Sequence, residues 1–220
     1  AEYFRHAPIL LLLGVARSPG RWPRGSDTQW PEHYARLALR ELGLPRIVVT
    51  QAYLRTAFED LLWHHATLQR AYHSGKSKRL TTVHHKLDRL SEILFSLAVA
   101  AVATYLGLVA GSALGLIPEA TAHNVSKSFT FLGVALPALG GAFAGIRYFG
   151  DFERFAAISD VTAEKLEAVE QRIKDLAKVA DGHIRYAQVA DLAHVIDDIV
   201  VAEIENWQSV FAGKQIAVPV

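Results

Sequence analysis

Histidine is the side chain in this sequence best suited to chemistry near neutral pH, and the chain has ten. Three of them are His64, His65 and His73, and two more are His84 and His85. Holding a metal requires at least two imidazoles aimed at one point. Adjacent residues on a helix point about 100° apart, so neither His-His pair can close on one ion from one face. The helical zinc pattern, two histidines four apart with a glutamate between them, is missing. These histidines therefore read as surface or interfacial groups, and no metal or other cofactor is expected. The chain has no cysteine, which excludes disulfides and thiolate sites. Asp197-Asp198 and Glu203 with Glu205 are acidic neighbours that read as a solvated helix face. No Ser/His/Asp set or paired-carboxylate spacing is present, so the chain is not expected to be an enzyme.

The elements around these residues are dominated by two uncharged runs. Ile93 to Ile117 has 25 residues, and Ser128 to Ile146 has 19. At about 1.5 Å per residue they reach about 38 and 28 Å, against a bilayer hydrocarbon core of about 30 Å. Neither contains a charge, which at a span centre would cost about 2.5–3.5 kcal/mol. Both predict transmembrane helices, joined by the turn PEATAHNVSK. The remaining chain is too short to bury two such helices as a soluble core. In the first run Ser96, Ala100, Thr104, Gly107, Gly111 and Gly115 fall on one stripe, less than half the circumference wide, of small residues. Such a stripe lets helices approach closely in lipid, either within the hairpin or between copies of it. In the second run Pro137 frees the carbonyl of Gly133 and permits a bend, with Gly140 and Gly141 beside it. The absence of ionisable groups from both runs argues against a pump or a proton relay.

Lys76, Lys78, Arg79, Lys86 and Arg89 precede the first run. They read as the positive-inside signal, and alternatively as a site for anionic lipid headgroups. Lys86, Arg89, Arg147 and Arg154 flank the hairpin, while its turn carries Lys127 and Glu119, so both ends of the chain are expected in the cytoplasm. Residues 1–92 carry 14 Lys and Arg against 8 Asp and Glu, a net of +6, and residues 93–220 carry 9 against 14, a net of −5. Two halves of opposite charge on one side of the membrane would attract each other.

Elsewhere the chain predicts helices. Ala7 to Ala16 is too short to span and reads as a buried or membrane-surface segment. Arg17 to Pro31 holds three prolines and two glycines and predicts a linker, with no expectation of nucleic-acid binding. EHYARLALREL predicts a helix closed by Gly43 and Pro45. Leu54, Phe58, Leu61, Leu62, Leu68 and Tyr72 predict an amphipathic helix to His73, broken at Ser74-Gly75. Asp151 to Ala180 repeats apolar residues at three- and four-residue steps through Phe155, Ile158, Thr162, Leu166, Val169, Ile173 and Leu176. After a stop at Asp181-Gly182, a last helix from about His183 to Phe211 completes an antiparallel pair, and Gly213 and Pro219 end the chain. With no methionine even at position 1, the chain is expected to be an excerpt of a longer polypeptide.

The order of parts, the lead-in HHKLDRLSEILFSLAVA and the close AEIENWQSVFAGKQIAVP, with Glu203 and Trp207 in a Glu-x-x-x-Trp pattern, resemble the SLATT family over about residues 45–220. That resemblance implies a bacterial two-transmembrane effector that assembles into homo-oligomers in the inner membrane. It would act as a pore or channel in a defence or conflict system, with a fused or associated nucleotide-sensing domain as trigger. The expected fold is an all-α membrane protein, a two-helix transmembrane hairpin with a cytosolic helical bundle. It divides into an N-terminal helical region (1–92), the hairpin (93–146) and a C-terminal helical hairpin (147–220). A non-conducting anchor for a helical docking domain is the alternative.

Overall fold

The computed structural model describes residues 2–15, 17, 30–43, 45–180 and 183–212. Most of the Arg17–Pro31 linker, the Asp181-Gly182 stop and the segment from Gly213 to Pro219 lie outside the described residues. No strand occurs among the described residues. The helices are α1 (Glu2–Leu13), α2 (Trp30–Leu42), α3 (Gln51–Thr56), a π-helical segment (Ala57–Trp63), α4 (His64–Ala113), α5 (Glu119–Gly150), α6 (Phe152–Ala177) and α7 (Tyr186–Ala212). They fall into two compact units, one of residues 1–77 with 157–220 and one of residues 78–156. These boundaries lie inside α4 and α6, away from the ends of the apolar runs at which the sequence was divided.

In the first unit the core joins α1, the π segment, the start of α4, α6 and α7. Leu10, Leu13, Leu54, Phe58, Leu62, Leu166, Ile173, Val189 and Ile196 are all buried. Their spacing explains the π segment. Leu54, Phe58, Leu62 and Ala66 recur strictly every four residues, and each such step overshoots an α-turn by about 40°. A wider π turn, with its i→i+5 bonds, absorbs that drift and keeps all four on the core side. Leu61, Leu68 and Tyr72, assigned to the apolar face from sequence, are exposed; Gln69, His73 and Ser77 continue the buried face instead.

Ser74-Gly75 does not break the helix, because α4 runs unbroken from His64 to Ala113. A glycine inside a helix costs only about 1 kcal/mol, and the burial of Ala66 with the contacts of His73 and Lys76 to Glu203 on either side offsets it. α1 buries one face, with Ala7, Leu10 and Leu13 each 2% exposed, while Phe4, Arg5 and Pro8 on the other are exposed. α2 ends at Gly43, whose φ of +70° suits glycine. The α6 seam from Leu166 to Leu176 is buried as its spacing predicts.

The second unit is an antiparallel helix pair. On α4, Ser91, Leu94, Ala98, Ala101, Tyr105 and Leu108 turn toward α5; on α5, Ser126, Phe129, Gly133, Leu136, Gly140 and Phe143 turn back. Both sets alternate three- and four-residue steps, the seam of a coiled coil. Tyr105 stacks on Phe129 with ring centres 5.9 Å apart, and its hydroxyl lies 3.2 Å from Ser126 Oγ. At the other end Arg147 donates to Asp88, and His84 lies 3.9 Å from Glu153.

The chain reverses through a Schellman turn. Gly115 takes φ +69°, its N–H donates to Ser112 O at 3.0 Å, and Leu116 N–H donates to Gly111 O at 2.9 Å. Pro118 is the extended N-cap and the chain is helical from Glu119, so most of the PEATAHNVSK segment expected as a turn belongs to α5. This register staggers the apolar runs. Tyr105 opposite Phe129 and Asp88 opposite Arg147 leave them side by side over only about 15 residues, or about 22 Å.

Two helices are long and apolar enough to cross a membrane, and only 6% of the most apolar stretch of each is buried. Phe95, Leu97, Leu106, Phe131 and Val134 are among the exposed apolar side chains. Helices this bare are not the core of a soluble domain.

Candidate functional site

The first candidate is the outward face of α4. Ser96, Ala100, Thr104 and Gly107 are all exposed, on the side away from the α5 seam. A Cβ on Gly107 would meet nothing within 4 Å, and Thr104 bonds only inward, its hydroxyl donating to Ala100 O at 2.8 Å. The stripe expected from sequence does not continue through its last two members. Gly115 lies beyond the helix end as its left-handed cap. Gly111 is pressed by its own chain, since a Cβ there would sit 2.8 Å from Ile117 Cδ1. The turn accounts for both glycines.

The expected hinge residues separate in the same way. α5 continues unbroken through Pro137, which is exposed together with Gly141. Gly140 is a packing position, where a Cβ would lie 3.5 Å from Ser91 O and 3.6 Å from Leu94 Cβ. At Gly133 a Cβ would lie 3.6 Å from Val102 Cγ2.

The second candidate is a set of buried charges in the first unit. Asp197 is 2% exposed, and the Arg17 guanidinium closes on it through Nε at 2.9 and 3.0 Å and Nη2 at 2.8 Å. Glu203 is 6% exposed, with Lys76 Nζ at 3.0 Å and His73 Nε2 at 3.4 Å. Lys76 also stands 4.6 Å over the Trp207 ring. The four-residue spacing of Glu203 and Trp207 thus puts both on one cation. Arg70 Nε reaches the buried Glu170 at 2.8 Å. In each of these three sites a base from the N-terminal part meets an acid from the C-terminal part, as the uneven charge predicts.

These pairings correct three sequence readings. Asp197 and Glu203 are not on a solvated face, although Asp198 is exposed. Lys76 is held by Glu203 and Trp207, whereas Lys78, Arg79, Lys86 and Arg89 are exposed. His73 is buried rather than superficial, at 1% exposure, and His6 is buried beside the same core at 0%. His6 Nε2 lies 3.0 Å from Ala193 O, and its ring sits 4.9 Å from that of His65. Burial drives the pKa of both His6 and His65 down to about 4. Burial also lowers that of His73, against the opposing pull of Glu203.

Sequence reasoning missed this set because each group is ordinary on its own helix. The available signal was the regular continuation of the Leu62–Ala66 face into Gln69, His73 and Ser77. Asp197, Glu203 and Glu170 each have a cation beside them, so these pairs fix the helices of the unit to one another. Among the described residues no group of three or more His, Cys, Asp and Glu is placed to hold a metal. No family profile, curated protein or solved structure matches the chain.

Proposed function

We propose that the chain is a two-span membrane protein whose hairpins associate side by side in a bacterial inner membrane, both ends in the cytoplasm, to form a pore-like effector. One observation carries the association: α5 leaves the Ser96–Ala100–Thr104–Gly107 face uncovered, amid large apolar side chains. In lipid, small faces pair because backbones can then approach closely. The resemblance to SLATT effectors supports conduction, a role in defence and a nucleotide-sensing trigger domain.

Replacing Gly107 by leucine tests the reading cleanly, since nothing within one hairpin would clash with the new Cβ. Lower oligomer mass together with lower ion leak from reconstituted vesicles is the expected result. Unchanged assembly would remove the face from the proposal.

A second reading, a non-conducting anchor for the helical unit, is favoured by Gly111 and Gly115. The turn uses both, so the full glycine series is not free for a partner. A parent protein that stays monomeric and never leaks would establish the anchor.

A further inference from the structure

We infer that the face of α4 just ahead of its apolar run is a docking surface for anionic phospholipid headgroups. This rests on the membrane reading of the hairpin. Lys78, Arg79, Lys86 and Arg89 are exposed on one continuous helix. At about 100° per residue the four fall within an arc of about 100°, on the side away from the α5 seam. Of the neighbouring acids, Asp88 is engaged by Arg147, Glu153 lies beside His84, and Glu92, exposed three residues beyond Arg89, is outnumbered by the four cations.

The level of the headgroups is marked from the other helix. The α5 apolar run ends at Ile146, and Tyr148 and Phe149 follow at 76% and 65% exposure, side chains suited to a membrane–water boundary. Because Arg147 pairs with Asp88, that boundary coincides with Lys86 and Arg89. Lys78 and Arg79 stand about 10 Å further out, near the limit of a Debye length plus side-chain reach. The two inner cations contact phosphates directly and the two outer ones act through the surface potential. The same arc continues into Ser96, Ala100, Thr104 and Gly107. Hairpins that associate through that face bring their cations together, and anionic headgroups relieve the repulsion.

The test reconstitutes the full chain in vesicles of equal phosphatidylglycerol and phosphatidylcholine, extracts it in mild detergent and counts the retained lipids by mass. Wild type should retain phosphatidylglycerol preferentially. The Lys86→Gln, Arg89→Gln pair should cut that preference by about fivefold or more. The Lys78→Gln, Arg79→Gln pair should cut it less, with an effect that disappears in about 0.5 M salt. Lys165→Gln with Arg185→Gln, which removes exposed cations elsewhere, should change nothing. Retained preference in the inner pair, or an equal loss in the control, overturns the proposal. Failure of the chain to stay with vesicles through an alkaline wash would overturn the membrane reading itself, and this inference with it.

Discussion

Arg17 and Asp197 form a deeply buried ion pair, at 6% and 2% side-chain exposure. Two charges out of water hold a fold together only while both are present. Asp197→Ala should therefore destabilise the first unit by about 3–5 kcal/mol. Replacing both partners with apolar residues, as in Arg17→Met with Asp197→Leu, should recover most of that loss in thermal unfolding. His6 gives a pH dependence of definite sign. Its pKa is about 4 in the folded chain against 6.5 for an ordinary histidine, so the unfolded state takes up a proton first as pH falls. Stability from this group is complete above about pH 6.5 and declines toward pH 4, by about 3 kcal/mol in total. His65 adds a smaller term of the same sign, being more exposed. His6→Gln should flatten the pH profile of the melting temperature; an unchanged profile would assign the acid loss to other groups.

Ile173, 0% exposed on α6, tests that helix's packed seam. Ile173→Asp should lower stability by several kcal/mol, about the cost of an unpaired charge in a core. Gly140 tests the hairpin. Alanine fits its 3.5–3.6 Å surroundings, whereas leucine should wedge α5 from α4 and lower helix-pair stability in detergent. The α6 seam and the two apolar helices were legible in the sequence because each repeats a period within one element. The ends of elements were harder to read. Ser74-Gly75 carries a local breaking signal worth about 1 kcal/mol, and tertiary burial outweighs it. Glycines 107, 111 and 115 look equivalent in a spacing argument, yet only the turn geometry separates a free face from a C-cap. The Lys76–Glu203–Trp207 cluster could not be found from one helix, since Lys76 lies more than a hundred residues from the Glu203–Trp207 pair it joins.

For the whole molecule, the proposed topology is checked by labelling single cysteines. Asn124, exposed on α5, should react from outside intact cells and Lys165, exposed on α6, should not; the reverse pattern would invert the orientation. The staggered register has a consequence for the bilayer itself. Where both helices are apolar they match a film of only about 22 Å, against a typical hydrocarbon thickness of about 30 Å. Beyond that zone one helix remains greasy while its neighbour has turned polar, through His123, Asn124 and Lys127 on one side and Asp88 and Arg89 on the other. In the proposed membrane setting, lipid around so short a match must thin, and that deforms the bilayer around the protein. Short-chain lipids should accept the protein with least distortion. Clustering copies would let them share one thinned patch, so bilayer thickness becomes a force for assembly independent of any contact between their side chains.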